Sequence, residues 1–158
     1  MNITDDRYAG QALSLLRIIA ALLFLLHGAS KLLGFPPSPM PAPEFGTLMW
    51  IGGVIELVGG SLLLVGLYSR TVAFLLSGQM AVTYWMFHAP KSLYPQVNGG
   101  DAAILFCFIF LYIVAAGPGK WSIDGFLHTR DDEPGVEGYA APGGERQYRP
   151  EDFGDKVI

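Results

Sequence analysis

The stretch Trp50–Gly60, WIGGVIELVGG, decides the fold because it places one carboxylate, Glu56, near the centre of a long apolar run. Glycines at positions 52, 53, 59 and 60 flank Glu56 on both sides. With about 3.6 residues per turn, these glycines and Glu56 fall on one side of a helix. Such a face lets a second helix backbone come close, and Glu56 then points into the contact. A carboxylate at that depth in a bilayer is costly, so it needs a partner or a task.

The composition around this stretch is typical of a membrane protein. Hydrophobic residues make up 51% of the 158 residues and charged residues 15%, against about 25% charged in soluble domains. The alternative is a soluble bundle, but each of its helices would need a polar face, which the second and fourth apolar runs lack. Residues 1–126 hold equal numbers of acidic and basic groups, so the net charge of −4 comes wholly from residues 127–158. The chain has no basic patch, and no nucleic-acid partner is expected.

Four apolar runs predict an all-α integral membrane four-helix bundle, antiparallel and up-down-up-down. About 20 residues cross a bilayer core, and the runs cover residues 12–33, 47–67, 71–87 and 101–116. The short link at 68–70 makes the second and third helices an antiparallel hairpin. The stretch 36–43 is rich in proline, which lacks an amide donor, so we expect an extended loop outside the hydrocarbon.

These runs divide the chain into three parts. We expect a polar N-terminal lead-in at 1–11, the four-helix domain at 12–126 and an acidic, disordered tail at 127–158. Basic residues predict the orientation because they favour the cytoplasmic side. The side with both termini carries Arg7, Arg70, Lys120 and Arg130, and the other side carries Lys31 and Lys91. We therefore expect a multi-pass protein of the plasma (inner) membrane with both termini cytoplasmic.

Antiparallel helices bring several polar side chains to one level near the outer ends of the runs. We predict an outward-facing polar cleft with Glu56 as its floor. Its candidate residues are His27, Lys31, Glu56, Tyr84, His88, Asn98 and Asp101. Arg17 lies about two turns inward of Glu56 and is the expected counter-ion. Glu56 could equally be half of a structural ion pair, with Arg17 or with Lys31.

No standard catalytic motif accompanies these residues, and Glu56 is the candidate catalytic group. His27 and His88 lie on different runs without metal-ligand spacing, so no metal site is expected. The chain has no nucleophile elbow and no phosphate-binding loop. Its single cysteine, Cys107, excludes an intramolecular disulfide and is interpreted as a buried thiol.

Five pieces of the chain, in this order, resemble the DoxX family of small four-span membrane proteins. They are RIIAALLFLLHGASKL (17–32), GGVIELVGGSLLLVGLYSR (52–70), the M-x-x-x-Y…H-x-P segment (80–90), NGGDAAIL (98–105) and GPGKWSID (117–124). The polar residues that match are Arg17, His27, Lys31, Glu56, Arg70, His88, Asp101 and Asp124. Members often carry glutamate where this chain has Asp101. The proline-rich insert and the tail have no counterpart in the resemblance.

The resemblance implies a helical integral membrane protein but no established catalytic residue. Related DoxD proteins are subunits of a thiosulfate:quinone oxidoreductase, and other members are linked to redox and sulfur stress. Two functions stay open. The first is a non-catalytic membrane subunit for assembly or partner docking, in which Glu56 belongs to a structural ion pair.

The second function is a quinone-interacting redox subunit. Here the cleft histidines, Tyr84 and Lys31 would donate hydrogen bonds to the quinone, and Glu56 or Asp101 would carry protons. No cofactor is required by the sequence, and a quinone is the one considered. The expected partners are the lipid bilayer, a redox partner protein that supplies electrons, and a second copy of the chain. Whether the protein is an enzyme stays open.

Overall fold

The computed structural model describes residues 6–39 and 41–131, and every regular element within these ranges is helical. The elements are α1 (Asp6–Leu33), α2 (Leu48–Val65), α3 (Ser69–Thr83), a π-helical segment (Tyr84–His88), α4 (Pro95–Asn98), α5 (Asp101–Ala116) and α6 (Ile123–Asp131). The prediction of an all-α chain is confirmed. Helix α6 runs across the boundary predicted between residues 126 and 127, and the division of the chain into three parts stays a prediction. Residues 132–158 of the predicted tail lie outside the described residues.

Two helices in the described ranges are long and apolar enough to cross a membrane, Tyr8–Leu33 and Leu48–Val65. Helix α5 is equally apolar but has only 16 residues. Helix α3 has 15 residues, and the π-helical segment continues it for five more. The four membrane spans therefore stay a prediction.

Helices α1 and α2 pack through glycines. A Cβ added to Gly28 would lie 2.5 Å from the backbone nitrogen of Leu57. One added to Gly60 would lie 3.0 Å from the Cα of Leu25, again a backbone atom. Gly59 instead faces Leu76 of α3. The small-residue face of α2 is thus shared between two neighbouring helices, which brings their backbones close to Glu56.

Arg17 joins three segments at the end of the molecule where α2 finishes. Its side chain is fully buried. The guanidinium donates to the carbonyls of Leu63 and Leu64 in the last turn of α2, the latter at 2.7 Å. It also donates to the carbonyls of Pro118, at 2.8 Å, and Trp121, in the loop after α5. Because a guanidinium has five donors in a rigid fork, it can satisfy carbonyls from several segments at once.

Asp124 and Arg70 complete this arrangement, and we call the three residues Arg17, Arg70 and Asp124 the capping cluster. The carboxylate of Asp124 accepts from the backbone amides of Tyr68 and Ser69, at 2.8 and 2.7 Å. These amides lie at the start of α3, where backbone N–H groups have no carbonyl acceptor within the helix, so the carboxylate supplies one. Arg70 donates to carbonyls in the last turn of α5, including Ala115 at 2.9 Å. The segment after α5 thereby holds the turn between α2 and α3.

Candidate functional site

A cavity of about 610 Å³ lies between α2 and α3, near the start of α2 and the end of α3. Its walls are mostly apolar side chains, among them Ile51 and Ile55 of α2 and Leu75 and Val82 of α3. All four are at least 38% exposed on the outer surface of the helices. The cavity therefore opens sideways between two helices. In a membrane, that opening faces lipid.

One wall of the cavity carries an ion pair. Glu56 is only 3% exposed, and its Oε1 lies 2.6 Å from the Nζ of Lys31. Lys31 comes from the last turn of α1. Gln79 of α3 donates from Nε2 to the carbonyl of Gly52 at 3.1 Å and, more weakly, to Glu56 Oε1 at 3.4 Å. Three helices thus meet at Glu56, each with one polar group.

Two oxygens of this wall lack a hydrogen-bond partner among the described residues. They are Glu56 Oε2 and Gln79 Oε1, and both are buried. The amide of Gln79 is oriented by its two acceptors, since only its nitrogen can donate to Gly52 and Glu56. A buried acceptor without a donor costs about 1–3 kcal/mol. Both residues line the cavity, so this cost falls where a bound molecule could remove it.

His88 is the third predicted cleft residue that lines the cavity, after Lys31 and Glu56. Its Nδ1 lies 3.0 Å from the carbonyl of Asn98, which can only accept, so Nδ1 carries the proton. The ring of Tyr84 stacks on that of His88 at 6.4 Å between centroids. Both residues belong to the π-helical segment, an element that often marks functional sites. With its proton on Nδ1, a neutral imidazole at His88 has Nε2 left as an acceptor, outside the bond to Asn98.

The structure does not bring His27, Asn98 and Asp101 to the cavity. His27 is exposed and lies edge-on to Phe106 of α5, with 6.3 Å between the ring centroids, although it is only one helical turn from Lys31 on α1. The side chain of Asn98 is buried and holds its own loop through Ser92 and Gly100. Asp101 is exposed in the first turn of α5. Three of the seven predicted cleft residues therefore line the cavity, and the other four do not, since Tyr84 reaches it only through its stacking on His88.

The predicted pairing of Arg17 with Glu56 is also corrected. Arg17 donates to backbone carbonyls in the capping cluster, and Lys31 is the counter-ion of Glu56. The loop after α5 returns to α1 and offers Arg17 carbonyls that lie nearer than the carboxylate. The alternative that pairs Glu56 with Lys31 describes the observed contact.

Gln79 is the functional candidate that the sequence reasoning missed. A signal for it exists, since it is a polar residue inside an apolar run. The turn at 66–68 lies about equally far in sequence from Gln79 and from Glu56. In an antiparallel hairpin, residues equally far from the turn are level with each other, which would have placed Gln79 beside Glu56.

Metal-ligand and thiol groups do not add to this wall. Within residues 6–39 and 41–131, His, Cys, Asp and Glu form no group of three or more that could hold a metal ion. Cys107 is a half-buried free thiol whose Sγ lies 3.5 Å from the hydroxyl oxygen of Ser77, between α3 and α5. The polar groups that line the cavity are the carboxylate of Glu56, the ammonium groups of Lys31 and Lys91, the amide of Gln79, the hydroxyl of Thr83 and the imidazole of His88.

Every regular element of the described residues is helical, and two of the helices are long and apolar enough to cross a membrane, as in a helical membrane protein. The chain belongs to the DoxX family, whose model matches residues 12–89. It is 38% identical over 124 residues to an uncharacterized protein of Haemophilus influenzae, covering 75% of this chain and 92% of that protein. It is 28% identical over 130 residues to the inner membrane protein YqjF of Escherichia coli, covering 72% and 90%. No solved structure matches the chain.

The family comparison confirms the resemblance to DoxX proteins and bears directly on the cavity. The matched range contains Lys31, Glu56, Gln79, Thr83 and His88 of the cavity lining but ends before Lys91. It contains Arg17 and Arg70 of the capping cluster but ends before Asp124.

Proposed function

We propose that this chain is a four-span inner-membrane protein that binds a lipid-soluble quinone-type molecule in the cavity between α2 and α3. The four spans would be α1, α2, α3 with its π-helical continuation, and α5, arranged as an antiparallel bundle. Contacts between opposite ends support this arrangement, as Lys31 near the end of α1 meets Glu56 in the first half of α2. The name of the relative YqjF and the basic residues support an inner-membrane protein with cytoplasmic termini.

The observation that carries the proposal is the buried carboxylate of Glu56, paired with the partly exposed Lys31 on the wall of a mostly apolar, side-opening cavity. An ionisable residue buried inside a membrane helix bundle is expensive, and such residues usually serve a ligand or proton pathway. The cavity volume of about 610 Å³ falls in the range of small-molecule pockets. Apolar walls with a few convergent polar groups are the usual lining of such pockets.

The residues present fit a quinone-type molecule with an apolar tail. Ile51, Ile55 and Val82 offer apolar surface to the tail at the lipid-facing opening. Lys31 holds the carboxylate of Glu56 in place and has further protons with which to bond a ring oxygen. A bound quinone supplies two-electron redox chemistry. This chain would bind and orient the ring, and a partner protein would supply the electrons.

The assembly or partner-docking role stays a prediction. The exposed apolar side chains of α1, α2 and α5 would serve a docking partner, but they serve contact with lipid equally well. The cavity adds a feature that lipid contact does not require. For this reason the binding of a small molecule is the function that the geometry favours, and association with a second copy or a redox partner would come in addition to it.

Binding of a decyl-tailed quinone, in its oxidised and reduced forms, tests the proposal on protein in lipid nanodiscs. Val82→Trp fills the cavity opening, whereas Val58→Trp is a matched control. Val58 lies outside the cavity lining on α2, and the two valines are 50% and 53% exposed. We expect Val82→Trp to weaken binding at least about tenfold, equivalent to the loss of about 1.4 kcal/mol. Val58→Trp should bind as the unmodified protein does. Equal binding by both variants, or absence of binding by the unmodified protein, would refute the proposal.

A further inference from the structure

We infer that the cavity selects a ligand that donates hydrogen bonds, so that a lipid-soluble hydroquinone or phenol binds better than the corresponding carbonyl compound. This inference rests on the proposed function and names the chemical class that its site prefers. Its basis is the donor and acceptor inventory of the polar wall, since Glu56 and Gln79 each keep an unpaired oxygen there.

The Glu56 carboxylate is the main acceptor. Its Oε1 already binds Lys31 and its Oε2 is unpaired. An ionised carboxylate only accepts hydrogen bonds, so a ligand oxygen without a hydrogen would meet Oε2 as a repulsive lone pair. The terminal torsion of glutamate is broad, so a small rotation turns Oε2 toward the cavity while Lys31 remains within reach. A hydroxyl group would then form a charge-assisted hydrogen bond, which is among the stronger kinds.

Gln79 and His88 reinforce this preference. The side-chain amide of Gln79 donates its hydrogen bonds to the carbonyl of Gly52 and to Glu56, which leaves its Oε1 as an acceptor. His88 keeps Nε2 as an acceptor because Nδ1 faces the carbonyl of Asn98. A ligand hydroxyl can donate to these acceptors, and for the buried oxygens of Glu56 and Gln79 it supplies a partner that the described residues do not. A carbonyl oxygen cannot, so its binding would leave acceptors unpaired.

Two lysines of the cavity lining work against the selection, because their protons could bond a carbonyl. One is Lys91, which is exposed, so water satisfies it when no ligand is present. The other is Lys31, the partner of Glu56. Its side chain is 22% exposed, compared with 4% for Glu56. Water can therefore satisfy the lysine when no ligand is present, whereas the buried oxygens depend on the ligand. The net gain from a donor is larger because it relieves a buried unpaired group.

The test compares the binding of three decyl-tailed probes of the same ring size to the protein in nanodiscs. The measurements are anaerobic, and the reducing agent is controlled so that each probe keeps its oxidation state. The probes are the hydroquinone, its quinone and its dimethyl ether. The ether keeps the aromatic ring of the hydroquinone but has no hydroxyl donors, so it separates the loss of donors from the change of ring shape in the quinone. We expect the hydroquinone to bind at least about tenfold more tightly than either of the other two. Glu56→Gln places an amide NH₂ at the free position, so the preference should vanish or reverse.

Folding of each variant is checked by its thermal unfolding midpoint. If Glu56→Gln does not fold, Gln79→Met removes the second acceptor with little change in volume, and it should reduce the preference. Binding of the three probes to the unmodified protein is sufficient by itself to test the inference. Equal binding of hydroquinone and dimethyl ether would overturn the selection while leaving the cavity as a binding site. Binding of none of the probes would overturn the proposed function as well.

Discussion

Gly28→Ala should destabilise the protein, because Gly28 lies where the backbones of α1 and α2 nearly touch. An added Cβ would be 2.5 Å from the nitrogen of Leu57 and 2.9 Å from the carbonyl oxygen of Gly53. These are backbone atoms, which cannot rotate away as a side chain can, so the two helices must separate. Overpacking of this kind costs about 1–3 kcal/mol. The same change raises helix propensity, which returns up to about 1 kcal/mol.

Gly78→Ala is the matched control for the propensity effect. Gly78 is an exposed helical glycine of α3, and a Cβ added there meets nothing within 4 Å. Both variants gain the same helix propensity, so the difference between them isolates the contact. We expect Gly28→Ala to be about 1–3 kcal/mol less stable than Gly78→Ala.

The assay is unfolding in detergent micelles, followed by circular dichroism across a denaturant or temperature series. Separation of α1 from α2 should also lengthen the Lys31–Glu56 pair, now 2.6 Å, and weaken ligand binding by the folded fraction. If Gly28→Ala were as stable as Gly78→Ala, the argument that backbone contact sets the spacing of α1 and α2 would be wrong.

Three further predictions concern the capping cluster, the histidines and the orientation. Arg17→Lys should lower the unfolding midpoint, because one ammonium cannot reach carbonyls in two segments and each unpaired carbonyl costs about 1–3 kcal/mol; a midpoint equal to that of the unmodified protein would contradict this. His88→Ala should weaken binding of the decyl-tailed hydroquinone, whereas His27→Ala should not, and equal effects would count against the cavity. In a chain whose native cysteine is replaced, Lys91→Cys should react with a membrane-impermeant maleimide outside intact cells. Tyr68→Cys should not react, and the reverse pattern would overturn the predicted orientation.

The helices of this protein are largely predictable from its sequence, because breakers delimit them. Helix α5 occupies the predicted 101–116, bounded by two glycines before it and by Gly117 and Pro118 after it. The glycine face around Glu56 is likewise readable from helical periodicity, and the structure buries it between neighbouring helices. These features depend on local sequence, which is why a single chain suffices to predict them.

The partners of the polar side chains are less predictable, because they depend on rotation of each helix about its axis and on returning loops. Depth along the membrane placed His27 and Lys31 together, and the two are neighbours on one face of α1. The ring of His27 nevertheless contacts Phe106 of α5, while the side chain of Lys31 reaches Glu56 of α2. For Arg17, nothing in the apolar runs indicates that the loop after α5 comes back to α1. The acceptors in that loop are backbone carbonyls, which every residue has, so the sequence does not single them out.

The capping cluster has a consequence for the order in which the chain is completed during synthesis. Arg17 and the amides at the start of α3 emerge early, but their partners Pro118, Trp121 and Asp124 are among the last residues of the described range to be translated. Until then, the guanidinium has only the carbonyls of Leu63 and Leu64, and the amides of Tyr68 and Ser69 lack the carboxylate of Asp124. A chain cut short before residue 118 would therefore lack every bond that ties the segment after α5 to α1 and to the turn between α2 and α3 in the capping cluster.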